Sequence, residues 1–381
     1  MEQDLAADTV RFWHGIAQLE VVDRIFLVTT AKESADAGQL ATRDLVGAEL
    51  AQLGQIPDRF EVLHCEQPAQ YRAAQLNMAV EHARERLTPA SADSVWVGVY
   101  NADSRPDPRT FTELRQRTTA EPDTRLFQQL VDYIVPSRGP TGLVAIGNAQ
   151  LQTWWTRSHY AARNARGHSG RTVWSRTSPY STFGHGEFAR LDFLDHIGGF
   201  PDFAYADGLL LGWICRLAAE PIGLLASRDV AEVPRSAADL VLQQTAWLRG
   251  LLNFDATAEW CRQQGILRLP DGEVRLLHAQ HLAIPVGWGL STLAVATALT
   301  SAACRMRRGR TAAYHLAVVT ALAAYPMIPA LVPFREHPYG IAAGRRVLGA
   351  CASWSIEGLA FWPALRSHLA RDQQAPAKTP R

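Results

Sequence analysis

Ser94-Val95-Trp96-Val97-Gly98-Val99-Tyr100 runs straight into Asn101-Ala102-Asp103-Ser104-Arg105-Pro106-Asp107-Pro108. Residues 95–100 form a short continuous apolar run, the pattern of a parallel strand covered on both faces. Pro106 and Pro108 then turn the chain away. In open α/β sheets, ligands bind beyond the carboxyl ends of the strands. An acidic residue there can hold a divalent cation against a diphosphate, because the hard cation prefers oxygen ligands and bridges phosphate oxygens. An ordinary strand-end turn has the same composition.

Upstream, the sequence predicts alternating strands and helices. A helix carries Phe12, Trp13, Ile16 and Leu19. Short strands cover Arg24–Thr30 and Phe60–His64, and helices cover Thr42–Leu53 and Ala73–Leu87. Strand and helix alternating at this spacing imply a doubly wound, mostly parallel sheet. No internal repeat is visible.

Downstream lies Gly184-His185-Gly186-Glu187-Phe188-Ala189-Arg190, then Ile197-Gly198-Gly199-Phe200-Pro201, then Ala206-Asp207-Gly208-Leu209-Leu210-Leu211-Gly212. The glycines let backbone approach a ligand closely. Asp207 opens an apolar helix, either as its cap or as a catalytic base at the edge of a site. A third segment, Gln243-Gln244-Thr245-Ala246-Trp247-Leu248-Arg249-Gly250, sits in an amphipathic stretch suited to a membrane surface, with Trp247 at headgroup level.

After about Arg275 the chain changes character. Leu282–Cys304 and Ala312–Phe334 contain no charged residue. Each is long enough to cross a hydrocarbon core, which takes about 20 residues. Val347–Leu365 reads either as a third span with Glu357 turned toward other helices or as an amphipathic helix lying on the bilayer surface. The tail from Arg371 is polar and is expected to be disordered. A cytosolic head would place Arg305, Arg307, Arg308 and Arg310 outside, against the positive-inside tendency. A first stretch that enters and returns around Pro285, Gly287 and Gly289 would remove that conflict.

The chain has 381 residues, 47% of them apolar and 20% charged, which excludes general disorder. Lys plus Arg is 38 and Asp plus Glu is 37, giving a formal net charge of +1 and no basic excess for nucleic acid. The five cysteines are scattered and form no metal-binding pair. The acidic start Met1-Glu2-Gln3-Asp4 does not read as a secretory signal.

Taken in order, these segments resemble the family 2 glycosyltransferases, enzymes of GT-A fold that use nucleotide-activated sugars. The resemblance runs from about Trp13 to Gly250, followed by the membrane helices many members carry. Arg72-x-x-Gln75-Leu76-Asn77 is similar to K-x-x-x-L-N, with Arg for Lys. Asn101-Ala102-Asp103 is similar to D-x-D, with Asn in the first place. Ala206-Asp207-x-x-x-x-Gly212 is similar to the E-D-x-x-L-G region, and Gln243-x-x-Ala246-Trp247 to Q-x-x-R-W, with Ala for Arg. Glu2-Gln3 looks like the end of the family's first strand motif, with the strand itself missing.

The resemblance implies an α/β, GT-A-like domain over residues 1–235, interfacial helices over 236–280, a transmembrane region over 281–366 and a tail over 367–381. It implies a membrane-bound inverting glycosyltransferase moving a sugar from a nucleoside diphosphate-sugar to a lipid-linked or saccharide acceptor. Asp207 would be the catalytic base. Asp103, with weaker help from Asn101, would hold Mg²⁺ or Mn²⁺. Arg72, Gly184, His185, Gln243, Trp247 and Arg249 would contact substrate. The protein would sit among membrane lipids as a multi-pass cell-membrane protein, its catalytic domain cytoplasmic. The departures from the family motifs support an alternative, a catalytically inactive membrane scaffold.

Overall fold

The computed structural model describes residues 2–31, 41–53, 58–66, 71–86, 92–136, 142–169, 172–178, 182–331 and 341–370. The expected strand–helix alternation is present. Helix α1 (Glu2–Gln18) leads into β1 (Ile25–Thr30), α2 (Thr42–Gln52), β2 (Phe60–Cys65), α3 (Arg72–Arg86), β3 (Trp96–Val99) and α4 (Arg109–Ala120). Then come β4 (Leu126–Ile134), α5 (Leu143–Trp154), a π-helical turn over Trp155–Tyr160, α6 (Ala161–Ser169) and α7 (Val173–Arg176). Strand β5 (Glu187–Arg190), α8 (Leu191–His196), α9 (Asp207–Leu217) and β6 (Ile222–Glu232) complete the α/β part. Glu2 and Gln3 are the first residues of helix α1.

The single doubly wound sheet is not what forms. β1 and β2 pair in parallel as a two-stranded sheet, and the other four strands make a second sheet in the order β3-β5-β4-β6. β5 lies between β3 and β4 and runs antiparallel to both, while β4 and β6 are parallel. β3 therefore takes its hydrogen bonds from a strand some ninety residues downstream, a pairing that local periodicity does not reveal. Helix α1 packs across both sheets through Val10, Trp13 and Ile16, meeting Ile25, Phe60, Phe127, Phe188 and Leu225. Trp13 lies 5.1 Å from the ring of Tyr100, so α1 braces the end of β3. The second core is built on α9, whose Leu210, Leu211, Trp213, Ile214 and Leu217 are buried with Phe193, Leu194 and Phe254.

Four more elements follow: α10 (Ala237–Leu251), α11 (Phe254–Gln263), α12 (Asp271–Arg307) and α13 (Ala313–Leu331). Helix α12 is one unbroken helix of 37 residues despite Pro285, about 55 Å long at 1.5 Å per residue. The enter-and-return reading of its apolar stretch is therefore corrected. Its first turns belong to the head, where Trp213 packs on His281 and Phe254 stacks on His278. Beyond them its outward residues, including Leu290, Leu293 and Leu299, are exposed and apolar. The tip at Gly309 turns the chain back into α13, whose Leu316 and Ile328 are exposed in the same way. Phe334 and the tail from Arg371 lie outside the described residues.

The third expected span is two helices, α14 (Ala343–Leu359) and α15 (Phe361–Leu369), meeting at Ala360. Among the described residues, two helices, α12 and α13, are long and apolar enough to cross a membrane. Helix α14 packs against α5. A Cβ added to Gly349 would lie 2.5 Å from the carbonyl oxygen of Leu143, and one added to Gly147 would strike the backbone of Gly349. Only a pair of glycines permits so close an approach. Beside this seam, Glu357 is buried and accepts hydrogen bonds from Ser353 Oγ at 2.5 Å and Asn148 Nδ2 at 3.3 Å. Gln150 donates to the carbonyl of Pro329 at 2.7 Å, tying α5 to α13 as well.

Candidate active site

The N-terminus of α3, the end of β3, the turn before β5 and the N-terminus of α9 meet at one guanidinium. Arg72, the first residue of α3, donates from Nη1 to Asn101 Oδ1 at 2.8 Å and from Nη2 to the Gly184 carbonyl. The same Nη2 lies 3.1 Å from Asp207 Oδ2. Arg72, Asn101, Gly184 and Asp207, expected from four separate segments, are thus brought together. A planar guanidinium can serve several acceptors in one plane, which a lysine ammonium cannot reproduce.

Local sequence explains the placement. Gly184 has φ +74°, a left-handed value that suits glycine, and a Cβ there would come within 3.2 Å of Arg72 Nη2. Ala206, immediately before Asp207, has φ +62° and ψ 52° and makes no side-chain cap to α9. A non-glycine residue held left-handed is uncommon and strained. It points the first residue of α9 toward Arg72. Asp207 is therefore not the N-cap of α9, which answers the capping alternative. Asn77 receives the Phe200 amide at 2.7 Å and donates to the Phe200 carbonyl at 2.9 Å, so α3 also clamps the Gly-Gly-Phe-Pro turn.

His185 faces inward and is 4% exposed. Its Nδ1 lies 2.8 Å from Asp229 Oδ2, so the ring proton sits on Nδ1, and Tyr133 O–H approaches Nε2 at 3.4 Å. Asp229 also accepts the Arg105 amide at 2.9 Å. Both ring nitrogens have protein partners, so His185 braces the Gly184 turn. Asp229 and Tyr133 were not singled out by the sequence, since each lies inside an ordinary strand pattern.

Asp103 is 7% exposed and contributes to the field around Arg105. Asn101 Oδ1, the expected second oxygen for a cation, is engaged by Arg72. No cluster of three or more His, Cys, Asp or Glu groups able to hold a metal occurs among the described residues. Magnesium-type sites on phosphates commonly use one or two carboxylates plus the phosphate oxygens. The donor set fits that arrangement through Asp103 alone.

The third expected segment lies alongside on α10. A Cβ on Gly250 would come within 2.5 Å of the Ala206 Cβ, so α10 packs directly on the residue preceding Asp207. Arg249 places its guanidinium 4.6 Å from the ring centroid of Tyr205, and Tyr205 stands edge-on to Tyr71, the neighbour of Arg72. Gln243, Trp247 and Gly250 follow i, i+4, i+7 spacing and share one face of α10. Tyr71 and Tyr205 carried no motif and were missed.

Glu187 lies in the Gly184–Arg190 segment, next to the Gly184 turn. It is fully buried at the start of β5, and burial is the first cause lifting its carboxyl, up to about 7. The charge of Asp207 adds to that shift, while Arg72, the Thr182 hydroxyl and His185 oppose it. A carboxylate opening a short, otherwise mostly apolar strand was the available signal.

No family model matches the chain, and no curated protein matches it. Among solved structures, the chain is similar to the mannosyltransferase PcManGT from Pyrobaculum calidifontis in complex with GDP-Man and Mn²⁺. The identity is 10%, the match covers 98% of this chain and 100% of that chain, and the TM-score is 0.45.

Proposed function

We propose that the protein is a membrane-bound inverting glycosyltransferase that uses a nucleoside diphosphate-sugar and a lipid-linked or saccharide acceptor. The observation that carries this reading is the meeting of Arg72, Asn101, Gly184 and Asp207 at the carboxyl end of β3. Asp207 accepts the proton of the acceptor hydroxyl as its oxygen forms a bond to the anomeric carbon. The bond from that carbon to the diphosphate oxygen breaks, and its electron pair leaves on the diphosphate. Arg72, and Arg249 beyond the Tyr205 ring, supply fixed positive charge for it. Trp247 and Gln243 line the sugar or acceptor side from α10. His185 holds the Gly184 turn in place through Asp229. Asp103 would hold Mg²⁺ or Mn²⁺, which would neutralise charge on the diphosphate when bound.

The membrane part of the reading rests on exposure. The apolar windows of α12 and α13 are only 22% and 17% buried. A core helix of a soluble protein would bury such a surface, whereas lipid covers it in a bilayer. On this reading residues 1–235 form the catalytic head, 236–280 the interfacial helices and 281–366 the membrane region, with the head cytoplasmic where nucleotide-sugars are found. The Arg72–Asp207 ion pair also favours a second reading, a silent scaffold whose base is permanently occupied.

The test is a donor screen on the purified full chain in detergent, reading release of nucleoside diphosphate with and without a glycolipid extract. Release that depends on one sugar nucleotide supports the enzyme. Absence of both transfer and hydrolysis across a broad panel supports the scaffold.

A further inference from the structure

The segment Tyr205-Ala206-Asp207 is cross-linked twice to the start of α3. Asp207 Oδ2 lies 3.1 Å from Arg72 Nη2, and the Tyr205 ring stands edge-on to the ring of Tyr71 with centroids 4.9 Å apart. Tyr205 and Asp207 both reach the Tyr71-Arg72 pair, so their side chains leave the segment on the same side. Arg249 comes in from the last turn of α10 and lays its guanidinium 4.6 Å from the Tyr205 ring centroid. Backbone packing fixes that end of α10. A Cβ on Gly250, the next residue, would lie 2.5 Å from the Ala206 Cβ and 3.2 Å from the Tyr205 carbonyl oxygen.

Two guanidiniums thus flank one three-residue segment, Arg72 at Asp207 and Arg249 at Tyr205. The Cα atoms of Tyr205 and Asp207 are at most about 7.6 Å apart, because successive Cα atoms are about 3.8 Å apart. Both arginines remain partly accessible. A guanidinium fork matches phosphate oxygens two at a time, so two forks at neighbouring positions match two linked phosphates better than one. An aromatic face within about 6 Å attracts a guanidinium and holds it flat, which lowers the ordering cost of binding an anion there. We propose that the Tyr71–Tyr205–Arg249 stack is a reader of the second phosphate. Tyr205 is its positioning residue: it holds Arg249 on the Arg72 side of the segment and makes the site select a diphosphate over a single phosphate.

A cation in the last turn of a helix also complements the negative end of the helix dipole. That role depends on the Arg249 charge and is indifferent to the Tyr205 ring, so the two roles separate on a change that leaves every charge in place. Phosphate selection by the stack needs no enzymatic activity. Its use on the diphosphate of a sugar nucleotide rests on the glycosyltransferase reading.

The test is calorimetric titration of the purified full chain in detergent with inorganic pyrophosphate and, separately, with orthophosphate. A chelator is present throughout, so that no divalent cation contributes. The wild type is expected to prefer pyrophosphate. Arg249→Gln is expected to weaken pyrophosphate about tenfold and orthophosphate much less, the loss of one charge-assisted contact. Tyr205→Leu changes no charge, yet is expected to reproduce most of that loss, while Tyr205→Phe keeps the ring and stays within about twofold of the wild type. Adding Tyr205→Leu to Arg249→Gln should cost nothing further, because the ring acts through the arginine. Thermal unfolding of each variant checks the fold. If Tyr205→Leu does not fold, Arg249→Lys replaces it: the ammonium keeps the charge but cannot lie flat on the ring, so an intermediate affinity is expected. A wild type without pyrophosphate preference overturns the proposal. So does wild-type pyrophosphate affinity in Tyr205→Leu or in Arg249→Lys, or a Tyr205→Phe as weak as Tyr205→Leu. Pyrophosphate selection that depends on Arg249 and Tyr205, without sugar transfer from any donor, supports the stack and removes the transferase reading. Sugar transfer with a pyrophosphate affinity that ignores Tyr205→Leu removes the stack and leaves the transferase.

Discussion

Replacing Arg72 by alanine would remove the one side chain on which the ends of β3 and α9 and the Gly184 turn converge. Three contacts disappear together, to Asn101 Oδ1, the Gly184 carbonyl and Asp207 Oδ2. A hydrogen bond to a charged group contributes about 1.5–3 kcal/mol. The Arg72 side chain is 34% accessible, so water replaces part of that, and the smaller end of the range applies to the exposed contacts. Asp207, at 12%, is the costlier partner because it is left a poorly hydrated, uncompensated charge beside Glu187. The net loss is about 2–4 kcal/mol. Arg72→Lys keeps a positive charge for Asp207 but cannot also span Asn101 and Gly184, so it should recover roughly half of the loss. The assay is thermal unfolding in detergent together with nucleotide binding by calorimetry. The Arg72→Ala and Asp207→Asn changes should be strongly non-additive, with a coupling of at least about 1 kcal/mol. If Arg72→Ala melts within about a degree of the wild type and binds nucleotide equally well, the convergence has no energetic meaning.

Asp207→Asn should fold and bind donor while transferring sugar at least about 10²-fold more slowly, measured as product formed at saturating donor. Asp103→Ala should abolish the chelator-sensitive part of nucleotide binding; calorimetry that shows equal affinity with and without chelator in both proteins would remove Asp103 as the cation ligand. Gly184→Ala should lose roughly 1–2 kcal/mol of stability, because it forces a left-handed alanine against Arg72, and denaturant titration reads it directly. Glu187 has its folded pKa raised from 4.5 to about 7, so the native state holds its proton where the unfolded chain has lost it. Its stabilising effect is complete below about pH 4.5 and is lost as pH rises through about 7. Relative to the wild type, Glu187→Gln should therefore gain up to about 3 kcal/mol across that window, and parallel stability–pH curves would count against it.

Much of the head was legible because its elements are local. The helix expected over Thr42–Leu53 ends one residue earlier at Gln52, and the strand expected over Phe60–His64 ends one residue later at Cys65. What was illegible depends on partners far along the chain. β5 inserts antiparallel between β3 and β4, and nothing in Glu187–Arg190 alone specifies those neighbours. Helix α5 escaped because Asn148, Gln150 and Gln152 interrupt any apolar stripe; their burial makes sense only once α13 and α14 have come back from some two hundred residues downstream. In the site, motif positions located Arg72, Asn101, Gly184 and Asp207, but they could not reveal that Arg72 would occupy Asn101 or that His185 would turn inward.

The glycine seam between α5 and α14 has a consequence for reach. Backbone lies on backbone there, with no side chains to slide or tilt, and α5 is in turn fastened to β4 by Thr153 Oγ1, which receives the Tyr133 amide at 2.9 Å. The seam therefore ties α14 closely to the head through α5. If α12 and α13 cross a bilayer as proposed, the head's working height above it would be a fixed stand-off, like the focal distance of a lens bolted to its frame. On the transferase reading, an acceptor whose hydroxyl rides at another depth would be out of focus. Selection among acceptors would then be made by the elevation at which each presents its reactive end, before any sugar ring is recognised. A single methyl group inserted at Gly147 would act as a shim and reset that elevation.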